Sequence, residues 1–163
     1  MTMTITQITN IEIANVEINN ATYQDIPALV DLLTELFSIE KDFEPNTVKQ
    51  ITGLGLLINK PEDAVIKVAR NGDGTVIGMV SAQLVISTAE GATSAWVEDM
   101  IISKNFRAAG LGKMLLISVL RWAQDKGATR AQLLVDSENE AAVGYYQHLG
   151  WETTQLQARR VFL

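Results

Sequence analysis

Arg107-Ala108-Ala109-Gly110-Leu111-Gly112-Lys113 joins an apolar, strand-like run to a helix-like one. Glycines let the chain take positive φ and approach a ligand closely. A helix that starts here leaves its first amide N–H groups unpaired and aimed outward, and its dipole favours an anion at that end. The stretch therefore reads as a phosphate cradle at a strand-to-helix turn.

Two phosphate loops can be tested against these letters. A nucleotide P-loop needs glycine where Arg107 stands and Ser or Thr where Met114 stands. A dinucleotide loop needs a third glycine at the position of Leu115, after the first strand of a βαβ unit. Neither fits. The remaining pattern is Arg-x-x-Gly-x-Gly. Further along, Asn139-Glu140-Ala141-Ala142-Val143-Gly144-Tyr145-Tyr146 is followed by Leu149-Gly150-Trp151.

With both motifs in this order, separated by one helix and one strand, the chain resembles the GNAT family of N-acetyltransferases from about Ile11 onward. The resemblance implies a mixed α/β, acyl-CoA N-acyltransferase fold, with a central, mostly antiparallel mixed sheet flanked by about four helices. It implies acetyl-CoA as co-substrate, no metal, and a small-molecule amine as acceptor. It also suggests a homodimer, since the family commonly pairs subunits. Alternatives within this reading are another acyl-CoA donor, a protein amine as acceptor, or a non-catalytic acyl-CoA sensor.

Composition agrees with a single soluble domain. The 163 residues are 47% hydrophobic and 20% charged, with a net charge of −6. The acidic balance argues against nucleic acid and accommodates a cationic amine. The absence of cysteine excludes disulfides, thiolate metal sites and an acyl-cysteine intermediate, and the lone His148 excludes a histidine-rich metal site. No Lys or Arg precedes Lys41 and no apolar run approaches membrane-spanning length, so a cytoplasmic protein without a membrane segment is expected.

Residues 1–10 read as a loose tail and 11–163 as one domain. Ile11–Ile18 alternates as a first strand, with Asn19-Asn20 as a turn. Helical spacing runs from Ile26 to Phe37, and a second helix is expected over Asn46–Asn59, stopped by Pro61. Asn71-Gly72-Asp73-Gly74 marks a hairpin between strands at Ala64–Ala69 and Val76–Ile86. Ser94–Ile102 forms the strand before the glycine loop and Leu111–Lys126 the helix after it. A short strand at Gln132–Val135, a helix at Glu140–Leu149 and a final strand or two in Trp151–Leu163 complete the expectation.

Amine acetylation from a thioester needs a held cofactor, a neutral amine, a stabilised oxyanion and a protonated leaving thiolate. Without cysteine, direct attack in a ternary complex is the simpler route. The backbone from Arg107 through Ala108, Ala109, Gly110, Leu111 and Gly112 to Lys113 is the expected pyrophosphate cradle, with the Arg107 side chain doing less than its backbone. Within Trp96–Ile102, Glu98 and Asp99 are adjacent carboxylates in an apolar strand, which alternation sends to opposite faces. The segment resembles diamine acetyltransferases, in which the matching glutamate is the proposed general base. On that match Glu98 is the candidate base, its pKa raised by partial desolvation, and Asp99 is structural.

The backbone of Met100, Ile101 and Ile102 should meet the pantetheine arm, where the family carries a bulge that the letters alone do not reveal. Tyr146 matches the family's proton donor to the cofactor sulfur, whereas its neighbour Tyr145 is expected to pack. Asn139 either binds the pantetheine amides, as its family counterpart does, or caps the following helix, for which Ser137-x-x-Glu140 also fits a capping box. His148 is expected on an exposed helix face. Glu40 and Asp42, with Glu44, occupy the connection where the family builds its acceptor pocket, and Glu40, Asp42 and Glu98 are the candidate substrate-binding groups.

Overall fold

The computed structural model describes residues 15–163. The expected tail and the start of the expected first strand lie outside them. Two compact units are distinguished, one ending at Gln132 and one spanning Leu133–Leu163.

In the larger unit, β1 (Glu17–Asn20) leads through a 3₁₀ turn (Tyr23–Asp25) into α1 (Ile26–Ile39). Then follow α2 (Thr47–Ile58), β2 (Ala64–Arg70), β3 (Val76–Ser87), β4 (Ala92–Ile102), a second 3₁₀ turn (Lys104–Phe106), α3 (Leu111–Asp125) and β5 (Ala128–Leu133). The sheet order is β1-β2-β3-β4-β5, and the first three pairings are antiparallel. With α4 (Glu140–His148) in the smaller unit, the described residues have the expected mixed α/β composition with four α-helices.

Side-chain chemistry sets these boundaries. At the start of α1, Thr22 N–H donates to Asp25 Oδ2 at 2.7 Å, and Arg70 holds the same oxygen at 2.8 Å. Pro27 fits the first turn, where its missing N–H costs no helical bond. Asn46 caps α2 by accepting from Lys49 N–H at 3.0 Å. The Asn71–Gly74 turn joins β2 to β3 with Gly74 at φ 87°.

Leu29, Val30, Leu32, Leu33 and Leu36 of α1 and Leu54 of α2 bury themselves against Ile66, Val68, Met79 and Ile101. The intervening β2 residues Val65 and Ala69 are buried too, and α3 packs on β2, β3 and β4. Cover on both faces explains the nearly uninterrupted apolar reading of β2.

Three expectations are corrected. Asn19 and Asn20 end a strand instead of forming a turn: they pair with Val68 and Lys67, and Lys67 Nζ donates to Asn20 Oδ1 at 2.7 Å. β5 begins at Ala128, immediately after Gly127 ends the α3 turn, and stops at Leu133, before the Val135 end expected. Its polar alternation concealed it behind the more apolar letters that follow. No strand forms over residues 151–163, where Trp151 N–H donates back to the Tyr146 carbonyl and Thr154 and Arg159 make local bonds. A strand needs a ladder partner, and no described strand pairs with this segment.

Candidate functional site

β4 carries the decisive irregularity. Met79 pairs with Ile101 and Ser81 with Glu98, so Val80 alone on β3 opposes both Asp99 and Met100 on β4. This is a β-bulge, and Asp99 adopts φ 53° within it. Aspartate tolerates the left-handed region better than most side chains do. The bulge breaks the strict alternation expected for the two carboxylates. Glu98 is exposed and Asp99 half-buried.

The Asp99 carboxyl is pushed up to about 6, first by burial, then by the negative charges of Glu98 and Glu40, with the Ser81 hydroxyl opposing weakly. Ser81 is itself buried, and its Oγ lies 3.2 Å from the Glu98 carbonyl oxygen and 3.5 Å from Asp99 Oδ2. The coupling also draws Glu40 into the electrostatics of β4. Asp42 is exposed on the connection after α1.

At the end of β4, Met100 and Ile102 are partly buried and Ile101 packs into the core. Close approach here depends on Gly78 of β3. A Cβ at that position would stand 2.6 Å from Ile102 Cδ1 and 3.2 Å from both the Ile101 carbonyl oxygen and Leu115 Cδ1. Ser103 N–H donates to the Ile77 carbonyl at 2.8 Å, fixing the exit of the strand.

The loop itself contains two left-handed residues, Ala108 at φ 62° and Gly110 at φ 81°, the latter being the N-cap of α3. By helix geometry the N–H groups of Leu111, Gly112 and Lys113 have no partner within α3. No acidic residue occupies its first turn, and Lys113 is exposed beside it. Alternating backbone handedness at a helix N-terminus makes a concavity suited to anions. Ala109 is partly buried between the two left-handed positions.

The Arg107 side chain turns away to other partners. Its Nε donates to the Ile102 carbonyl at 2.9 Å, and its guanidinium forms an ion pair with Glu35 of α1. Nothing in the letters pointed to Glu35. It lies 72 positions from Arg107 and looks like any polar residue on an amphipathic helix.

In the smaller unit, Asn139 Oδ1 accepts from Ala142 N–H at 3.1 Å and so caps α4. Tyr146 meets Trp151 edge-on, with ring centroids 5.9 Å apart, and Trp151 N–H donates to the Tyr146 carbonyl at 3.0 Å. Tyr145 lies edge-on to Tyr146 at 5.6 Å, and burial raises its phenol pKa. His148 is exposed. Among the described residues, no group of three His, Cys, Asp or Glu side chains is arranged to hold a metal, and no helix is long and apolar enough to cross a membrane.

The chain is similar to known proteins in sequence and in fold. Glucosamine 6-phosphate N-acetyltransferase of Trypanosoma brucei brucei is 30% identical over 89 residues, covering 53% of this chain and 57% of that protein. Aminoglycoside N(6')-acetyltransferase type 1 of Salmonella typhimurium is 29% identical over 86 residues, 51% of this chain and 59% of its own. The chain thus spans less than two thirds of the length of these relatives. Among solved structures, a possible acetyltransferase from Clostridium difficile 630 superposes with TM-score 0.80 at 16% identity, covering 91% of this chain and 98% of that one. An aminoglycoside N-acetyltransferase in complex with CoA gives 0.73 at 19% identity, with 91% and 93% covered. The model of the acetyltransferase (GNAT) family matches residues 26–151, from the first helix through the bulged strand and the glycine loop to Trp151, and the chain belongs to that family.

Proposed function

We propose that the chain is an N-acetyltransferase that moves the acetyl group of acetyl-CoA to a primary amine by direct attack in a ternary complex. The observation that carries this reading is the loop Arg107–Lys113: left-handed at Ala108 and Gly110, free of acidic side chains in the helix turn it opens, and fed by a bulged strand. Its geometry suits the pyrophosphate of the cofactor, held by backbone from Arg107 to Lys113. The backbone of Met100, Ile101 and Ile102 is assigned to the pantetheine arm, and Asn139 to its amides through the nitrogen that capping leaves unused.

In the proposed reaction Glu98, directly or through water, takes a proton from the substrate ammonium. The freed nitrogen attacks the thioester carbon, the C–S bond breaks as Tyr146 protonates the departing thiolate, and the second proton shed by the nitrogen as it becomes an amide restores the Tyr146 phenol. Exposure of Glu98 supports access to substrate, and the likeness of this strand to diamine acetyltransferases supports its role. Glu40, Asp42 and Glu98 attract the cationic acceptor. Relatives named for amino-sugar and aminoglycoside acetylation support an amine acceptor. A cytoplasmic homodimer completes the reading.

Calorimetric titration with acetyl-CoA tests it, with ADP and NAD as controls. Micromolar or tighter binding that the controls do not reproduce supports the cofactor assignment. No heat in any titration removes it, and the roles of Glu98 and Tyr146 with it. A sensor that binds without turnover is the second reading. Glu98→Gln and Tyr146→Phe separate the two, because they should abolish turnover in an enzyme and leave a sensor's binding almost unchanged.

A further inference from the structure

We propose that Glu35 of α1 is a positioning residue for acetyl-CoA, acting through Arg107; this rests on the cofactor assignment above. The arginine that opens the glycine loop does not present a free charge to a phosphate. Its Nε is committed to the Ile102 carbonyl at 2.9 Å and its terminal nitrogen to Glu35. One side chain therefore ties three elements together: the end of β4, the start of the loop and the C-terminal half of α1.

The residue immediately after Arg107 explains why such a tie is needed. Ala108 is held at φ 62°, a conformation that an alanine abandons unless its surroundings impose it. Arg107 itself is extended, with ψ 163°, so the chain turns sharply from extended to left-handed within one step. Clamping the Arg107 side chain at both ends fixes the direction from which the chain enters that step. Glu35 supplies the end of the clamp that lies outside the loop and its strand. The amides that follow are then presented in a fixed arc, and the phosphate meets a preorganised surface.

This predicts a particular division of effects. Glu35 touches neither reacting group, so its loss should weaken cofactor binding and leave chemistry at saturation unchanged. The pair is partly exposed, with side chains 41% and 31% accessible for Arg107 and Glu35, so added salt should reproduce part of the loss in the wild-type protein.

The test is a double-mutant cycle on the full chain, with acetyl-CoA affinity by calorimetry as the first readout and initial rates as the second. Glu35→Gln keeps the size and removes the charge, and Glu35→Ala serves as a second variant should the first misfold. The expected result is roughly a tenfold rise in Kd and in KM for acetyl-CoA, with kcat unchanged. In an Arg107→Ala background the same substitution should change Kd no further, because the two side chains act as one unit. Equal affinity of wild type and Glu35→Gln overturns the inference while leaving the cofactor assignment intact. Additive losses in the two variants overturn it as well, since Glu35 would then act by another route. Absence of binding by the wild type would instead remove the cofactor assignment on which both rest.

Discussion

Ser81 stands opposite Glu98 across the β3–β4 ladder, its hydroxyl 3.2 Å from the Glu98 main-chain carbonyl and within 3.5 Å of the Asp99 carboxylate that the bulge turns toward it. A carboxyl in this setting couples folding to protons. The Asp99 pKa of about 6 in the folded chain exceeds the ordinary 3.8. Between these values the folded state keeps a proton that the unfolded chain has lost, so stability falls as pH rises from about 4 to about 6 and then levels off. Asp99→Asn should remove this slope and raise stability above pH 7 by on the order of 1–2 kcal/mol, the full shift being discounted for partial exposure. Thermal unfolding of both proteins across that pH range checks it.

The same ionisation should be visible in catalysis. Above pH 6 Asp99 adds a negative charge beside Glu98 and Glu40, which favours a cationic amine. KM for the amine is expected to fall through that pH in the wild type and to lose the inflection in Asp99→Asn. Glu98→Gln should instead lower kcat by about a hundredfold or more at every pH. Initial rates over pH 5–8, by thiol release, distinguish the two carboxylates; the protein contributes no thiol of its own.

The Asp25–Arg70 pair behaves in the opposite sense. Arg70, chiefly by hydrogen bonding, holds the Asp25 carboxyl below its usual range against the effect of burial. Its contribution is present above the unfolded value near 4 and disappears as pH falls through the lower folded value. The side chains are only 8% and 23% exposed for Asp25 and Arg70, so Asp25→Ala leaves the guanidinium half-buried without its partner and removes the cap of the turn before α1. A loss of about 2–3 kcal/mol is expected in urea denaturation at pH 7, shrinking below pH 4.

Gly78→Ala tests the close approach of β3, the end of β4 and α3. The flexible Ile102 side chain can shift, but the Ile101 carbonyl oxygen cannot, so a cost of about 1–3 kcal/mol is expected. Because the strain falls where β4 hands the chain to the loop, acetyl-CoA affinity should weaken along with stability. A variant with lowered stability and unaltered affinity would show that the loop is insulated from the ladder.

Where sequence reading succeeded, local chemistry announced itself. Asn71-Gly72-Asp73-Gly74 makes its hairpin, Asn46 caps α2, and Gly110 opens α3. Where it failed, the cause lay in distant or atypical residues. The bulge that the family resemblance implies is not legible in the letters, because an aspartate, not a glycine, takes the left-handed position. Glu35 was missed because its partner is far away along the chain. β5 was misplaced because Thr129 and Arg130 give it polar letters. A final strand or two is expected over residues 151–163, but pairing is a property of two segments and cannot be read from one.

Asp99 and Ala108 are the only residues other than glycine at positive φ among those described, and they bracket the passage from strand to loop. Each conformation costs a side-chain-bearing residue about 1–2 kcal/mol, which the surrounding packing must supply. The shape of this passage is therefore on loan from the rest of the domain. As denaturant loosens that packing, these two residues should relax first, so anion affinity would vanish before the sheet melts and serve as an early gauge of the domain's integrity.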